Sequence, residues 1–364
     1  MKMQAAVLRG FDLPYQIEDL DIAEPGPGQI RVRIAGVGLC HTDTLPRVPD
    51  LTAGPPIIPG HEGSGVVESI GPGVTDLDIG DHVVLSYDSC GRCQNCLSSH
   101  PAYCETFMPR NLSGVGLDPE GPVTDADGKL VAARWFGQSS FATHSIVDAV
   151  NAVKVSTDLP IELLGPLGCG VQTGAGAILV ALDVRAGSSV VIFGAGGVGL
   201  SAVMAARVAG ATTIVAVDLH RSRLDLANEL GATHTVDGSD TDILETLTEI
   251  TGGGAQYSLD TTGVPAVIST AISCLRPTGT CGLVGVQLGD VSLGPTDLAI
   301  GRTVTGILEG DAVPGILIPR LIELWRQGRF PFDRLIKKFP LDQINEAEQA
   351  SLRGDVVKPV LIPS

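Results

Sequence analysis

The chain has 364 residues, of which 44% are hydrophobic and 18% are charged, so it can bury a sizeable core and is not a disordered protein. Its formal net charge is −17, and we therefore expect neither nucleic acid nor membrane as a partner, because both prefer basic surfaces. The N-terminal stretch has no apolar segment typical of a signal peptide, and no apolar run approaches the roughly 18–20 residues of a membrane helix. The length suggests about two domains, and we expect the protein in the cytoplasm.

The predicted elements change character along the chain. Apolar and polar residues alternate between turn signals from residue 4 to about residue 90, which predicts short antiparallel strands. Residues 90–130 are rich in Cys, Gly, Pro and Asn, and we expect long loops there. From about Ile161, helical stretches alternate with the apolar strands SVVIFGAG, TIVAVD, YSLDTTG and TCGLVGV, which predicts βαβ units on a parallel sheet. A last predicted helix, GILIPRLIELWRQGRF, precedes a C-terminal return to the first domain.

Half of the eight cysteines lie in one short stretch, CGRCQNCLSSHPAYC. These residues are Cys90, Cys93, Cys96 and Cys104. Their spacing suits a tetrahedral zinc site, and a loop without its own core gains stability from such a site. An iron–sulfur cluster is the competing metal site, and four free cysteines brought together by chance are the remaining alternative. Four protein ligands leave no open position, so we predict a structural site.

The motif Gly194-x-Gly196-x-x-Gly199 follows an apolar strand and opens a predicted helix. The first glycine permits a tight turn, the second lets the backbone approach a pyrophosphate, and the third lets helix and strand pack closely. Asp218 ends the next strand, 19 residues after Gly199, where a carboxylate can bind both ribose hydroxyls. It would repel a 2′-phosphate, so NAD is favoured over NADP. A glycine-rich turn that binds nothing is the alternative.

A second set of candidate metal ligands is spread along the chain. Cys40 ends a strand-like stretch, His61 follows 21 residues later, and Cys169 lies just before the dinucleotide-binding segment. Two thiolates and one imidazole leave a fourth position open, which a catalytic zinc requires. Taken singly, Cys169 also suits a buried core position, and His61 suits a turn. The two remaining cysteines, Cys274 and Cys281, lie in apolar runs and are predicted to be core residues.

Five motifs follow one another along essentially the whole chain. They are Cys40-His41-Thr42-Asp43, GHEGSGVVESIG at 60–71, the four-cysteine loop, Cys169 and GAGGVG. As a set they resemble the zinc-dependent medium-chain alcohol dehydrogenases, the enzymes for which the Cys2His zinc ligand set is known. The stretches FGQSSFATH and LGPLGCGVQTGAGA resemble the aryl-alcohol (benzyl alcohol) dehydrogenase branch.

The resemblance implies an α/β fold with two domains. Residues 1–165 would form a GroES-like, mostly β catalytic domain that carries the structural zinc loop. Residues 166–308 would form a doubly wound Rossmann domain that binds NAD, and residues 309–364 would return to the catalytic domain. A homo-oligomer is also implied. A dimer is favoured over a tetramer because the stretch between Cys104 and Trp135 is long, as in the dimeric members.

Roles at the catalytic zinc follow from the resemblance. Cys40, His61 and Cys169 would hold the metal. Glu62 would lie behind it and could enter its coordination transiently, and Asp43 would fix the tautomer of His61.

The resemblance also implies a path for the alcohol proton, which Thr42 would accept. Many family members carry a histidine three residues later, as the outer end of a proton relay. This chain has Leu45 there. The proton would therefore leave through Thr42 and the ribose hydroxyls to water, or by another group.

Further positions are implied for cofactor and substrate. The NAD site would comprise residues at the pyrophosphate, the adenosine ribose and the nicotinamide: His41, Thr173, Gly194, Gly196, Gly197, Val198, Gly199, Asp218, Arg223, Val284, Val286, Ile307 and Lys358. An ordinary solvated charge is the alternative for Arg223 and Lys358. The substrate cleft would be lined by Ser86, Trp135, Phe136 and Leu308. The adjacent Trp135 and Phe136 would form an apolar wall, with plain core packing as the alternative.

The implied activity is that of a zinc- and NAD-dependent oxidoreductase with two zinc ions per subunit. It would convert small primary aromatic or allylic alcohols to aldehydes, reversibly, by hydride transfer to the nicotinamide. A dehydrogenase of thiol–formaldehyde adducts or of short aliphatic alcohols is the alternative within the enzymes. A non-catalytic cofactor-binding protein on the same fold is a more distant alternative, because all three zinc-ligand positions are filled.

Overall fold

The computed structural model describes residues 1–118 and 120–364. Numbered in chain order, the strands in this part of the chain are β1 (Lys2–Val7), β2 (Gln16–Ile22), β3 (Gln29–Gly38), β4 (Glu62–Ile70), β5 (His82–Leu85), β6 (Val123–Thr124), β7 (His144–Asp148), β8 (Ala152–Val155), β9 (Ser189–Phe193), β10 (Thr213–Asp218), β11 (His234–Asp237), β12 (Ala255–Asp260), β13 (Leu275–Leu283), β14 (Thr303–Gly306), β15 (Ile336–Pro340) and β16 (Lys358–Ile362). The α-helices are α1 (Gln94–Leu97), α2 (Phe107–Asn111), α3 (Gly170–Gly176), α4 (Gly197–Ala209), α5 (Arg221–Leu230), α6 (Ile243–Ile250), α7 (Pro265–Ser273), α8 (Pro314–Arg326) and α9 (Ile344–Leu352).

The chain divides into two units. The first consists of Met1–Cys169, Val313–Pro319 and Asp333–Ser364, and the second consists of Gly170–Ala312 and Arg320–Phe332. The predicted C-terminal return begins at residue 309, but its segment Arg320–Phe332 groups with the second unit.

The first unit is built mainly on antiparallel strands, and β15 with β16 is its one parallel pair among the strands described. Its larger sheet has the order β15-β16-β3-β4-β5-β8, with β7 also paired to β3, and its smaller sheet has the order β1-β2-β6. In β3, Ile30, Val32 and Ile34 alternate with two arginines and are buried, as the period of two along a strand requires. Each such side chain stabilises the fold by roughly 1.5–3 kcal/mol when it is fully buried.

The second unit contains a six-stranded sheet of order β11-β10-β9-β12-β13-β14, in which every pairing is parallel. All five residues of β9, SVVIF, are buried, which is typical of a central strand with both faces covered. Strand β9 pairs with β10, the next strand along the chain, at one of its edges and with β12 at its other edge. The carboxyl end of β9 is therefore the topological switch point, where such sheets bind their ligands.

The α/β fold with a mostly β unit and a doubly wound unit is confirmed. The four apolar segments predicted as strands of the second unit correspond to β9, β10, β12 and β13. Strands β11 and β14 were not predicted, because each has only four residues and neither is a continuous apolar run. Residues 90–130, predicted as loops, contain the short helices α1 and α2 and the short strand β6. Among the described residues, no helix is long and apolar enough to cross a membrane.

Candidate active site and cofactor site

The pairing of β3 with β4 brings two distant segments of the sequence together. Gly38, at the end of β3, pairs with Glu62, at the start of β4, so that Cys40 and His61 lie at the same end of the two strands. Residue 38 must be glycine, since a Cβ atom there would lie 1.9 Å from Glu62 Oε2. Gly60 has a φ of +91°, a left-handed conformation that lets the chain turn sharply just before His61.

Four side chains of the first unit converge at this end of the sheet. The ligand atoms of Cys40, His61, Glu62 and Cys169 all lie within 4.8 Å of one another. His61 Nε2 lies 3.2 Å from Cys169 Sγ, and both residues are buried. Sulfur and imidazole ligands suit zinc, whereas calcium and magnesium prefer oxygen ligands. The donor set therefore fits a zinc ion.

The surroundings of Cys40 favour its thiolate form over its thiol form. The hydrogen bond with Cys169 holds the pKa of Cys40 well below its usual range, against the opposing effect of burial, and the nearby charge of Lys358 acts in the same direction. Because the thiolate is the form that binds metals, this environment favours metal binding.

Lys358 lies buried beside the same cluster. Its Nζ donates to both carboxylate oxygens of Glu62, at 2.8 and 2.9 Å, and to the carbonyl of Leu39 at 3.3 Å. Lys358 is 4% exposed and Glu62 is fully buried. Burial disfavours the charged ammonium, but the Glu62 carboxylate outweighs it and raises the pKa of Lys358. The alternative that Lys358 is an ordinary solvated charge is therefore wrong, and its contact with the cofactor phosphates stays a prediction.

The carboxylate of Asp43 accepts hydrogen bonds from four donors and orients His61. Its Oδ1 accepts from His61 Nδ1 at 2.7 Å, from the backbone N–H of Gly60 at 2.9 Å and from Trp135 Nε1 at 3.2 Å. Its Oδ2 accepts from the backbone N–H of Cys40 at 3.1 Å. A carboxylate at Nδ1 keeps the imidazole proton on that nitrogen, and Nε2 is then free to bind a metal.

The residues after Cys40 form a 3-10 turn, His41–Arg47. Thr42 is half-buried, and its Oγ1 lies 3.9 Å from Cys40 Sγ. His41 is exposed, while Leu45 packs against the core of the unit. The hydroxyl predicted to accept the alcohol proton thus lies next to a candidate metal ligand.

The three predicted substrate residues of the first unit are nearly fully buried. Ser86 is 1% exposed and donates to the carbonyl of Gly168 at 2.7 Å. Trp135 has no exposed surface and bonds to Asp43, so in this structure it is a core residue rather than a wall of an open cleft. The ring of Phe136 stacks on the imidazole of His61 with a centroid separation of 4.4 Å.

The four cysteines of the loop also converge. Cys93 Sγ lies 3.4 Å from Cys96 Sγ, and Cys90 Sγ lies 3.9 Å from Cys96 Sγ. Cys104 Sγ accepts a hydrogen bond from the backbone N–H of Cys90 at 3.3 Å. A backbone N–H of Glu105 makes the largest contribution to lowering the pKa of Cys93, to about 6. Such N–H···S contacts stabilise thiolates, and the cluster fits a metal with four sulfur ligands.

The contacts that anchor this loop have no recognisable signal in the sequence. Asp88 is 2% exposed, and both of its carboxylate oxygens accept from Arg110 Nη1, at 3.1 and 3.0 Å. The Asp88 backbone N–H also donates to Asn111 Oδ1 at 2.8 Å. The start of the loop is thereby fixed to helix α2, which follows the loop.

In the second unit, the glycine motif forms a turn between β9 and α4. Gly194 has a φ of +90°, which requires glycine. A Cβ atom on Gly199 would lie 1.8 Å from the carbonyl oxygen of Gly194, so the third glycine allows the helix to pack closely. The position of Gly196 is open, with no atom within 4 Å of a Cβ placed there. This geometry shows the tight turn and the close packing, and the approach of a pyrophosphate at Gly196 stays a prediction.

Asp218 ends β10 beside this turn. Its Oδ2 accepts from the backbone N–H of Ala195 at 2.7 Å, and its Oδ1 accepts from that of His220 at 2.8 Å. Gly194, Asp218 and Arg223 line a cavity of about 400 Å³ at the switch point. Arg223 Nη1 lies 4.0 Å from Asp218 Oδ2, and the buried Nε of Arg223 has no hydrogen-bond partner among the described residues.

Apart from His41 and Lys358, which lie in the first unit, the remaining predicted cofactor residues belong to the second unit. Thr173 lies on α3 and is 7% exposed, Ile307 is 5% exposed, and Val286 is half exposed. Val198 and Gly197 begin α4, while the backbone N–H of Val284 donates to the Asp260 carbonyl at 2.9 Å. Leu308, predicted to line the substrate cleft, follows Ile307 and is 38% exposed.

Two buried polar residues of these sites were missed by sequence reasoning. Gln138 Nε2 donates to the carbonyl of His61 at 2.9 Å, and Gln138 Oε1 accepts from the backbone N–H of Gly63 at 3.0 Å. Glu309 is 6% exposed, with its carboxylate 3.5 Å from the hydroxyl of Thr173. Gln138 lies within FGQSSFATH, where nothing distinguishes it from the other polar residues of that stretch.

Comparisons with known proteins agree with this geometry. Residues 26–157 match the family described as "Alcohol dehydrogenase GroES-like domain", and residues 197–324 match "Zinc-binding dehydrogenase". The chain is 48% identical over 363 residues to geraniol dehydrogenase from Castellaniella defragrans, covering 99% of this chain and 97% of that protein.

Two solved structures superpose over the whole chain. An alcohol dehydrogenase zinc-binding domain protein from Burkholderia ambifaria matches with a TM-score of 0.97 and 48% identity, over 100% of this chain and 99% of that chain. Benzyl alcohol dehydrogenase from Acinetobacter calcoaceticus matches with a TM-score of 0.94 and 43% identity, over 100% of both chains. The protein therefore belongs to the zinc-dependent medium-chain alcohol dehydrogenases and is an alcohol dehydrogenase.

Proposed function

We propose that this alcohol dehydrogenase uses NAD to oxidise primary aromatic or allylic alcohols, and that each subunit holds one catalytic and one structural zinc ion. The observation that carries the proposal is the cluster of Cys40, His61 and Cys169, the last two of them buried, with Asp43 behind the imidazole. Two similar proteins are named for a benzyl and for an allylic alcohol, which supports the substrate class.

The first unit supplies groups for holding the metal and moving a proton. Zinc bound by Cys40, His61 and Cys169 would act as a Lewis acid and favour loss of the alcohol proton. Asp43 keeps the Nδ1 proton of His61 in place, so the imidazole presents Nε2 throughout the reaction. Thr42 would accept the alcohol proton at its hydroxyl oxygen while its own hydroxyl proton leaves towards water.

The second unit supplies the cofactor site. Bound NAD would provide the nicotinamide that accepts the hydride. The turn at Gly194 and Gly196 leaves space for a pyrophosphate at the N-terminus of α4, where backbone N–H groups favour negative charge. Asp218 binds the ribose hydroxyls from the cavity wall, and Arg223 contributes a hydrogen-bond donor that lacks a partner within the described part of the chain.

The substrate class is tested by the rate of NADH formation with benzyl alcohol, geraniol and ethanol in parallel. We expect kcat/KM for the two bulky alcohols to exceed that for ethanol by at least about 100-fold, because an apolar cleft gains binding free energy from each additional apolar group. Cys169→Ser should keep the fold, as measured by circular dichroism, and lose turnover with all three alcohols. A higher kcat/KM for ethanol or for a thiol–formaldehyde adduct would contradict the proposed substrate class.

The structural role of the four-cysteine loop is tested by Cys93→Ser. We expect one zinc ion fewer per subunit by metal analysis and a Tm lower by roughly 5–10 °C, because the loop relies on the metal for its stability. Cys281→Ala is the control, since Cys281 is buried outside both cysteine clusters and its replacement should leave the zinc content unchanged. An effect of Cys93→Ser on kcat alone, with unchanged Tm, would contradict a structural site.

The preference for NAD is tested by Asp218→Asn. Removal of the carboxylate abolishes its repulsion of a 2′-phosphate and leaves Arg223 nearby, so the ratio of kcat/KM for NADP to that for NAD should rise at least roughly tenfold. Asp183→Asn, an exposed acid of the same unit, should leave the ratio unchanged. A wild-type protein that already prefers NADP would refute the cofactor proposal.

We also propose that the protein is a homodimer. Strand β14 is the edge of the parallel sheet and is paired only with β13 among the described residues. Leu288, Leu293, Leu298 and Ile300, in the segment before β14, are 41–69% exposed. An uncovered edge next to exposed apolar side chains is a liability for aggregation, and a second copy of the chain would cover both.

The dimer is tested by light scattering coupled to size exclusion. We expect a mass of twice the 37.6 kDa chain. Introducing charge into the apolar segment with Leu293→Lys and Leu298→Lys together should shift the protein to the monomer. Ile79→Lys, at an exposed apolar residue of the first unit, should have no effect. A tetramer, or a monomeric wild type, would disprove the proposed assembly.

A further inference from the structure

The turn formed by Trp135–Ser140 contacts the metal-ligand histidine through several of its residues. The backbone N–H of Ser140 donates to the carbonyl of Gly60 at 2.7 Å, and Gln138 Nε2 donates to the carbonyl of His61 at 2.9 Å. These two bonds hold the peptide groups on both sides of the His61 Cα. The turn therefore fixes the backbone from which the imidazole projects.

The same turn fixes the plane of the imidazole. The ring of Phe136 stacks on His61 with 4.4 Å between the ring centroids and 26° between the ring planes. Phe136, Gly137 and Ser139 have φ values of +49°, +68° and +53°. Left-handed backbone at a bulky aromatic residue is energetically costly and persists only where the surroundings enforce it, which is common at functional sites.

Trp135 reaches the edge of the imidazole through Asp43. It is fully buried, and its backbone N–H donates to Ser139 Oγ at 2.8 Å. The backbone that carries the indole is therefore held in place. Its Nε1 donates at 3.2 Å to Asp43 Oδ1, the same oxygen that accepts from His61 Nδ1 at 2.7 Å. Two side-chain donors and the backbone N–H of Gly60 thus meet at one carboxylate oxygen, which leaves it little freedom to rotate.

We propose that Trp135 is a positioning residue for the Cys40–His61–Cys169 cluster and acts through Asp43. The indole N–H fixes the carboxylate oxygen, the carboxylate fixes the imidazole, and His61 Nε2 is thereby held towards Cys169 Sγ, 3.2 Å away. Trp135 therefore sets how firmly the cluster holds its metal, and it does so without touching metal or substrate. This inference rests on the proposed function only in requiring that the cluster binds zinc.

The test is the rate at which zinc is released from the purified enzyme to a chromogenic chelator. Zinc release from the Cys40–His61–Cys169 cluster is identified as the kinetic phase that is seen in the wild type and is missing in Cys169→Ser. In Trp135→Phe, which keeps an aromatic ring but loses the N–H donor, this phase should be about 10-fold faster. This is the low end of the range for loss of a metal ligand's own hydrogen-bond partner, because the indole lies one hydrogen bond further out, at Asp43. Trp325→Phe, at the other tryptophan of the chain, should release zinc at the wild-type rate.

Action through Asp43 is tested by combining the substitutions. If the indole works through the carboxylate, Trp135→Phe should change the release rate less than about twofold in an Asp43→Ala background, because no side-chain oxygen is left there to accept from the indole N–H. A full 10-fold effect in that background would overturn the proposal. So would a wild-type release rate in the single Trp135→Phe variant.

A measurement without substitution of Trp135 covers the case in which Trp135→Phe does not fold. The chain has two tryptophans, so two indole N–H signals are expected by NMR, and Trp325→Phe assigns them. The Trp135 signal should shift on removal of the cluster zinc and in Asp43→Asn, while the Trp325 signal stays fixed. A Trp135 signal that moves in neither case would disprove the proposal. A wild-type protein without zinc in the cluster would instead disprove the proposed function.

Discussion

The hydrogen bond between Asp43 and His61 is the interaction on which the catalytic unit depends. Both side chains are buried, and a carboxyl group in that position is tolerated only because four donors surround it. The donors come from three separate segments: the end of β3, the bend before β4, and the turn that begins at Trp135. The carboxylate thus ties these segments together and at the same time selects the tautomer in which His61 can bind a metal.

Much of this arrangement follows from the sequence. The four-cysteine spacing and the glycine motif are local patterns, and both can be predicted from the sequence because a few neighbouring residues determine their geometry. The Cys40, His61 and Cys169 set is not local. It is identified through its order in the chain and its resemblance to a family, and only the pairing of Gly38 with Glu62 explains physically why the first two meet.

Other features could not be predicted, because they depend on which buried groups face each other. Lys358 looks like a charge in a C-terminal strand, and only the fold shows that its ammonium is 4% exposed and faces Glu62. Trp135 looks like a wall for an apolar substrate, whereas its indole N–H is bonded to a carboxylate 92 positions earlier in the chain. The roles of Gln138 and Glu309 were missed for the same reason, since a polar residue in the sequence does not reveal its partner in the fold.

The lowered pKa of Cys40 has a consequence for the protein when its metal is lost. A thiolate reacts with oxidants far faster than a thiol, and Cys40 has the thiol of Cys169 as a hydrogen-bonded neighbour. Oxidation of the first sulfur to a sulfenic acid would therefore be followed by condensation with the second to a disulfide. A bound metal protects both sulfurs, so the stripped enzyme needs a reductant during storage if it is to be reconstituted. The same chemistry that prepares the cluster for metal therefore makes the empty cluster sensitive to oxidation.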